Sequence, residues 1–226
     1  MGRFPVDYRS FRFSKLNTPE FSHLKLLLYW PLFGLLFFFV ERLSPVEEYF
    51  PIYCTLDDLI PFCEFFLIPY LFWFVYLVGM HLYTLLCDVA IFRRFMWFII
   101  LSYSAAILIY LLFPTCQELR PAAFERDNPF TRFLFYFYQF DTHTNVCPSI
   151  HVIGSAAVWC ASLRIQRFQT PAWRLAFGIS GALICASTVF LKQHSTVDVL
   201  AAIPICVLAD YLAFQRKAPA RGPVSV

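Results

Sequence analysis

The stretch AWRLAFGISGALICASTVFLKQHSTVDVLAAIPICVLADYLA, Ala172 to Ala213, holds two long apolar runs separated by one polar break. The runs at 172–190 and 195–213 each match the roughly 17 to 25 helical residues needed to cross a hydrocarbon core of about 30 Å. The break sets Lys192, His194 and Asp198 where two such helices would turn back at a membrane face. An ammonium, an imidazole and a carboxylate held there need a physical reason, because ionisable groups near lipid are costly unless they are paired.

Four further runs, at 24–40, 62–86, 95–113 and 150–165, have a similar character. Of the 226 residues, 59% are hydrophobic, 20% aromatic and only 15% charged, against about 25% charged in an ordinary soluble domain. The expected fold is an all-α integral membrane protein, six transmembrane helices in a single bundle. A basic tail at 1–23, a membrane domain at 24–213 and a tail at 214–226 complete the expected organisation. A net charge of +3 is too small to indicate a nucleic-acid partner; membrane lipids are the expected surroundings, and the sequence leaves the oligomeric state open. The first run follows a basic, aromatic segment and lacks a small-residue cleavage site, so it reads as a retained span. Met1-Gly2 resembles the start of a myristoylation signal, but Val6 stands where Ser or Thr is expected, and lipidation is set aside.

Cytoplasmic loops are enriched in Lys and Arg. With a cytoplasmic N-terminus, thirteen of the 18 Lys and Arg fall on inner segments. Arg42, Arg120, Arg126, Arg132 and Lys192 fall on outer ones. Both termini are therefore expected in the cytoplasm, and the break around His194 on the extracytoplasmic side. Two long outer connections follow, 41–61 and 114–149. The second carries FTRFLFYFYQF, Phe130 to Phe140, whose rings favour the membrane–water boundary, so an interfacial helical segment is expected between spans three and four. It serves either as the floor of a site or as plain packing. The eight cysteines show no metal-ligand spacing. Cys54, Cys63, Cys116 and Cys147 fall on the outer side, and their pairing is left open.

His194 and Asp198 are four residues apart, so a last span that begins near Gln193 stacks them on one helical face. A carboxylate on one imidazole nitrogen sets the tautomer and leaves the other nitrogen free as base or nucleophile. The plainer reading is a His and an Asp at a helix start satisfying each other. The stretch NVCPSIHVIG, Asn145 to Gly154, opens the fourth span. There Pro148 suits a first helical turn, Ser149 lies at the positive helix end that attracts phosphate oxygens, and His151 follows on the same rim. A second imidazole suits a leaving group that needs a proton. Arg120 adds a planar donor fork matched to a phosphoryl group.

Pro148-Ser149-Ile150-His151 matches the Pro-Ser-x-His signature of the type 2 phosphatidic acid phosphatase superfamily. His194 to Asp198 matches the His-x3-Asp end of that superfamily's third signature, and Arg120-Pro121 the end of its first. The chain from about 60 to 213 resembles these membrane enzymes. The resemblance implies phosphoryl transfer from a lipid phosphate, phosphatidate-like or a polyprenyl diphosphate, without metal or other cofactor. His194 is then the nucleophile that becomes phosphohistidine, Asp198 its orienting partner and His151 the general acid. Arg120 and Ser149 hold the phosphoryl oxygens, where charge develops.

Phe113 stands where the first signature has Lys, and Thr188 where the third has Arg. Lys192 and Arg126 are the candidates to restore that charge. The His-Ser-Thr-Val-Asp-Val ending also resembles the sphingolipid synthases, which implies the alternative of head-group transfer from a phosphodiester to ceramide or diacylglycerol. In the acidic loop, Asp57 and Asp58 are candidates for head-group contact, with Asp141 and Asn145 beside them as supporting groups; a solvated loop and turn formation explain them equally well. His81 and Asp88 have no partner in the sequence, and His23 falls in the basic tail without a role. An ion or proton transporter is the reading from a different class. It predicts ionisable groups spread through the spans, whereas these gather at one rim. A non-enzymatic scaffold would leave the rim unexplained.

Overall fold

A computed structural model describes residues 5–216, and these are mostly helical. The stretches 1–4 and 217–226, which include the Met1-Gly2 start and the polar C-terminal tail, lie outside the described residues. Among the described residues five helices are long and apolar enough to cross a membrane: Ser22–Arg42, Glu64–Cys87, Val89–Leu112, Pro171–Phe190 and Thr196–Gln215. That is the make-up of a multi-pass membrane protein. Their outward side chains agree with it, since Leu35, Leu108, Leu175, Leu200 and Val207 are all more than half exposed. An apolar surface of this kind matches lipid and not water.

The first long helix opens with tight turns at Ser22–Leu28 and continues as α1 (Tyr29–Arg42). A single turn, α2 (Leu56–Leu59), then precedes α3 (Leu67–Cys87). Asp88 separates α3 from α4 (Val89–Leu112) and caps the latter by accepting from Ile91 N at 3.0 Å. Asp88 thus acquires a role that its sequence position did not reveal. Two short strands, β1 (Phe50–Pro51) and β2 (Thr115–Cys116), pair in parallel and tie the two long loops together. In α5 (Pro129–Phe140) Asn128 caps the first turn, with Pro129 in the first helical position and Thr131 completing a capping box. The chain continues through α6 (Ile150–Ser162), α7 (Pro171–Phe190) and α8 (Thr196–Asp210), which ends in a π-helical turn at Tyr211–Gln215.

The third run begins six residues before its expected start at 95 and takes Arg93 and Arg94 into α4, while the fourth, expected at 150–165, ends three residues early. At about 1.5 Å per residue, the 13 residues of α6 cover roughly 20 Å, short of the hydrocarbon thickness. Its burial explains how this is accommodated. Ile153, Ala157, Val158 and Ala161 are fully buried, and α6 packs against α3, α4, α7 and α8. A helix shielded by protein on most sides can stop early, because its freed backbone groups meet protein partners and not lipid.

Residues 5–23 also differ from the expected tail. Phe21 and His23 are fully buried, Tyr8 Oη lies 2.8 Å from His23 Nε2, and the same hydroxyl donates to the Leu85 carbonyl at 2.7 Å. His81 accepts from Trp30 Nε1 at 3.2 Å and contacts the Leu77 carbonyl at 2.8 Å. All eight cysteines are free thiols.

Close packing in the bundle centre is set by Gly154. A Cβ there would lie 2.7 Å from Tyr103 Oη and 2.8 Å from Trp73 Nε1, and both rings are themselves buried. The Gly154→Val variant is expected to lose about 1 to 3 kcal/mol through overpacking, read as a lower melting temperature of the purified protein in detergent. An unchanged melting temperature would contradict this packing.

Candidate functional site

The first turn of α8 carries the site. Ser195 is its N-cap, so His194 lies just outside the helix and not on its face, as a start near Gln193 had implied. Asp198 reaches back instead. Its Oδ2 accepts from Ser195 N at 2.9 Å, closing a capping box, and lies 3.1 Å from His194 Nδ1. With Nδ1–H donating to the carboxylate, Nε2 of His194 is left with its lone pair. Asp57, offered by the sequence as a head-group contact, is buried under the same turn. Its carboxylate accepts from Ser195 Oγ at 2.6 Å, Thr196 N at 2.7 Å and Thr196 Oγ1 at 2.7 Å. Burial opposes ionisation of Asp57, but the hydrogen bonds from Ser195, Thr196 and Cys54 outweigh it and hold the carboxyl below its usual range. Asp58 is exposed and accepts from Tyr53 Oη.

The turn that delivers His194 is pinned from every side. Lys192 adopts φ 54, a left-handed conformation that is uncommon for a residue with a Cβ. The N–H groups of Gln193 and His194 both donate to the Thr188 carbonyl, at 2.9 and 3.0 Å. Tyr138 Oη donates to the Leu191 carbonyl at 2.6 Å, and Gln117 Nε2 to that of Lys192 at 2.9 Å. The Lys192 ammonium donates to the carbonyls of Asp57 and Ile60 at 2.7 and 2.5 Å. Lys192 is therefore a tie between loops and does not line the cavity beside His194, which corrects its assignment as a phosphate ligand.

His151, in the first turn of α6, packs against Tyr70 and Trp73, with ring centroids 4.4 and 4.5 Å away. Its Nδ1 is buried without a partner. The rings of His151 and His194 are 5.9 Å apart at 65° and line one cavity of ≈ 240 Å³. Ser149 occupies the N-cap position of α6 without a side-chain cap bond, and its backbone N–H donates to the Asp198 carbonyl at 3.2 Å; its hydroxyl is buried without a partner and, like Arg120 and Lys192, it is not in the cavity lining, which corrects its assignment as a phosphate ligand. Pro148 precedes this cap and is not in the helix. Burial, with the Asp198 carboxylate nearby, pushes the Cys147 thiol up to about 12, so no thiolate competes with the imidazoles.

Arg120 lies behind this cavity and not in its lining. Its guanidinium donates to the carbonyls of Tyr138, Asp141 and Thr142 at 2.9, 2.6 and 2.8 Å and to Gln193 Oε1, and it lies over the Tyr138 ring. Burial lowers its pKa, against the opposing pull of Asp141. Asp141 accepts from Tyr70 Oη at 2.6 Å and Gln193 Nε2 at 3.2 Å, and it lines the cavity. Arg126 pairs with the buried Glu64 at 3.3 Å, and Phe113 is 68% exposed. Arg120, Lys192 and Arg126 are thus all engaged by protein groups, and none lines the cavity.

Glu41, Arg42, Gln193 and Thr142 do line it, and the sequence reading missed them as site residues. The available signal was Glu41-Arg42, two charges directly continuing the first apolar run. Among the described residues of the lining, Arg42 is the one Arg or Lys; it donates to the Phe140 carbonyl at 3.0 Å. Asn145 also lines the cavity, at φ 50 and 4% exposure. Comparison of the chain with models of known families, with curated proteins and with solved structures gave no match.

Because the Asp57 carboxyl is depressed, its contribution to stability is complete above the ordinary carboxylate range and is lost as the pH falls through the lower folded value. The Asp57→Ala variant is expected to be about 1 to 3 kcal/mol less stable at neutral pH and to show a shallower fall in melting temperature on acidification. Melting curves from pH 7 to pH 3 check both parts.

Proposed function

We propose that this chain is a membrane-embedded phosphohydrolase acting on a lipid phosphate, phosphatidate-like or a polyprenyl diphosphate, through a phosphohistidine. The observation that carries the reading is the pair of imidazoles, His151 and His194, 5.9 Å apart in one cavity with His194 held by Asp198. It agrees with the resemblance to the type 2 phosphatidic acid phosphatase superfamily, whose Pro-Ser-x-His and His-x3-Asp signatures supply these three residues.

In this reading Nε2 of His194 attacks phosphorus and the bond to the leaving oxygen breaks. His151, as general acid, gives a proton to that oxygen. Water then attacks the phosphohistidine, the phosphorus–nitrogen bond breaks, and His151 takes up the water's proton. Asp198 stabilises the charge that develops on His194. Arg42, the one guanidinium in the lining, serves the phosphoryl oxygens. Arg120 acts through others, positioning Gln193 and the Asp141–Thr142 backbone.

Six spans, with α6 as the short fourth and α5 as the interfacial segment between spans three and four, belong to the same proposal. The C-terminal end of α1 and the N-terminal ends of α6 and α8 meet at the cavity, as strict alternation of six spans requires. The distribution of Lys and Arg supports cytoplasmic termini and an extracytoplasmic site. Head-group transfer to an alcohol is the second reading. It is favoured by a lining with one guanidinium, Arg42, beside two carboxylates, Glu41 and Asp141, which suits a phosphodiester better than a dianionic monoester.

Purified protein in lipid nanodiscs, supplied with phosphatidate, lysophosphatidate and a polyprenyl diphosphate, is expected to release inorganic phosphate from at least one. His194→Gln should reduce release to background, and His151→Gln should slow it by about 10² to 10⁴ fold, both with unchanged melting temperature. Undiminished release from either variant would contradict the assignment. Addition of EDTA is expected to leave the rate unchanged, and a loss restored by magnesium or manganese would refute the metal-independent chemistry.

A further inference from the structure

Beside the imidazole pair, two residues of the same cavity hold polar atoms that nothing in the protein satisfies. Glu41, at the end of α1, uses Oε2 to accept from Thr142 Oγ1 and, at 3.2 Å, from Thr144 Oγ1. Its Oε1 is buried without a partner. Asn145 is 4% exposed, and both Oδ1 and Nδ2 of its amide lack partners. Buried polar groups in folded proteins are nearly always hydrogen-bonded, so an unpaired one on a cavity wall calls for a partner such as a water or a ligand group. Both residues line the cavity that His151 and His194 line.

The chemistry of the free atoms selects the ligand. Glu41 Oε1 and Asn145 Oδ1 accept, while Asn145 Nδ2 donates. A second anion is disfavoured beside a carboxylate. An ammonium has no acceptor for the amide N–H. A hydroxyl donates to Glu41 Oε1 and accepts from Asn145 Nδ2, so one group links the two residues, and Asn145 Oδ1 is left to a second hydroxyl or a water. We infer that Glu41 and Asn145 form a subsite for a hydroxyl group on the alcohol portion of the substrate, adjacent to the phosphoryl position. The inference rests on the phosphoryl-transfer reading and narrows its substrate class. A monoacyl glycerol phosphate, with its free hydroxyl close to phosphorus, fits this subsite, whereas phosphatidate and polyprenyl diphosphates carry no such hydroxyl and leave it empty.

Glu41→Gln keeps an acceptor for Thr142 and Thr144 while turning the second position into a donor. Asn145→Gly removes the amide and tolerates the positive φ. The test measures binding and not turnover, on full-length His194→Gln protein in nanodiscs. Three phosphate monoesters with equal chains are compared: a 1-acylglycerol 3-phosphate, an alkyl phosphate without hydroxyls, and an alkyl phosphate with an ammonium in place of the hydroxyl. The acylglycerol phosphate is expected to bind about tenfold tighter than the plain alkyl phosphate, as one charge-assisted hydrogen bond provides. Either further substitution should bring that ratio to within about twofold. Equal affinities in the parent protein, a ratio unchanged in both variants, tightest binding of the ammonium compound, or no binding of any of the three would overturn the subsite. Failure of wild-type protein to release phosphate would instead remove the hydrolytic reading, while the binding ratio is read independently of it.

Discussion

The first turn of α8 begins where water is scarce, and its orphan N–H groups must find partners inside the protein. Two carboxylates meet that demand. Asp57, from the loop after the first long helix, accepts from the side chain of Ser195 and from backbone and side chain of Thr196. Asp198 accepts from Ser195 N and, with the same oxygen, reaches His194 Nδ1. Capping and imidazole orientation thus share one atom. The residue that a capping box places three positions after its cap is also the residue that sets the tautomer of the candidate nucleophile.

The same economy explains the cations. Buried carbonyls left unpaired near lipid are costly, and the connection from Tyr138 to Thr142 has several. Arg120 satisfies three of them and reaches Gln193. Lys192 satisfies those of Asp57 in α2 and of Ile60 just after it. A guanidinium or ammonium held by carbonyls in this way shapes the cavity without entering it. The proposed phosphoryl position then relies on Arg42 and on the imidazoles, and its lining carries less positive charge than a dianion would favour. This physical circumstance keeps transfer from a diester open as the second reading and makes Glu41 compatible with the cavity.

The elements legible in the chain were those governed by local composition. Five apolar runs became helices, four of them within about two residues of their expected ends and the third beginning six residues early at Val89, because length and hydropathy together demand a helix in lipid. The spacing of His194 and Asp198, and of Ser149 and His151, marked the candidate site from sequence alone. Glu41 and Arg42 went unrecognised because a charge that closes an apolar run is ordinarily a boundary marker, and nothing local says that it faces residues a hundred positions away. Lys192 and Arg120 were assigned to phosphate for their charge and position. Which carbonyls they meet depends on loops folded from distant parts of the chain.

By itself, then, the sequence determined that apolar helices form, where four of them end, and that two imidazoles and a carboxylate lie close to helix starts, since these follow from backbone hydrogen bonding in a medium without water. Tertiary structure alone decided that α6 stops short, that His194 precedes its helix, and that Glu41, Arg42 and Asn145 join the imidazoles in one cavity. Those outcomes depend on which surfaces of separate helices and loops pack together, and such contacts leave no trace in the order of neighbouring residues.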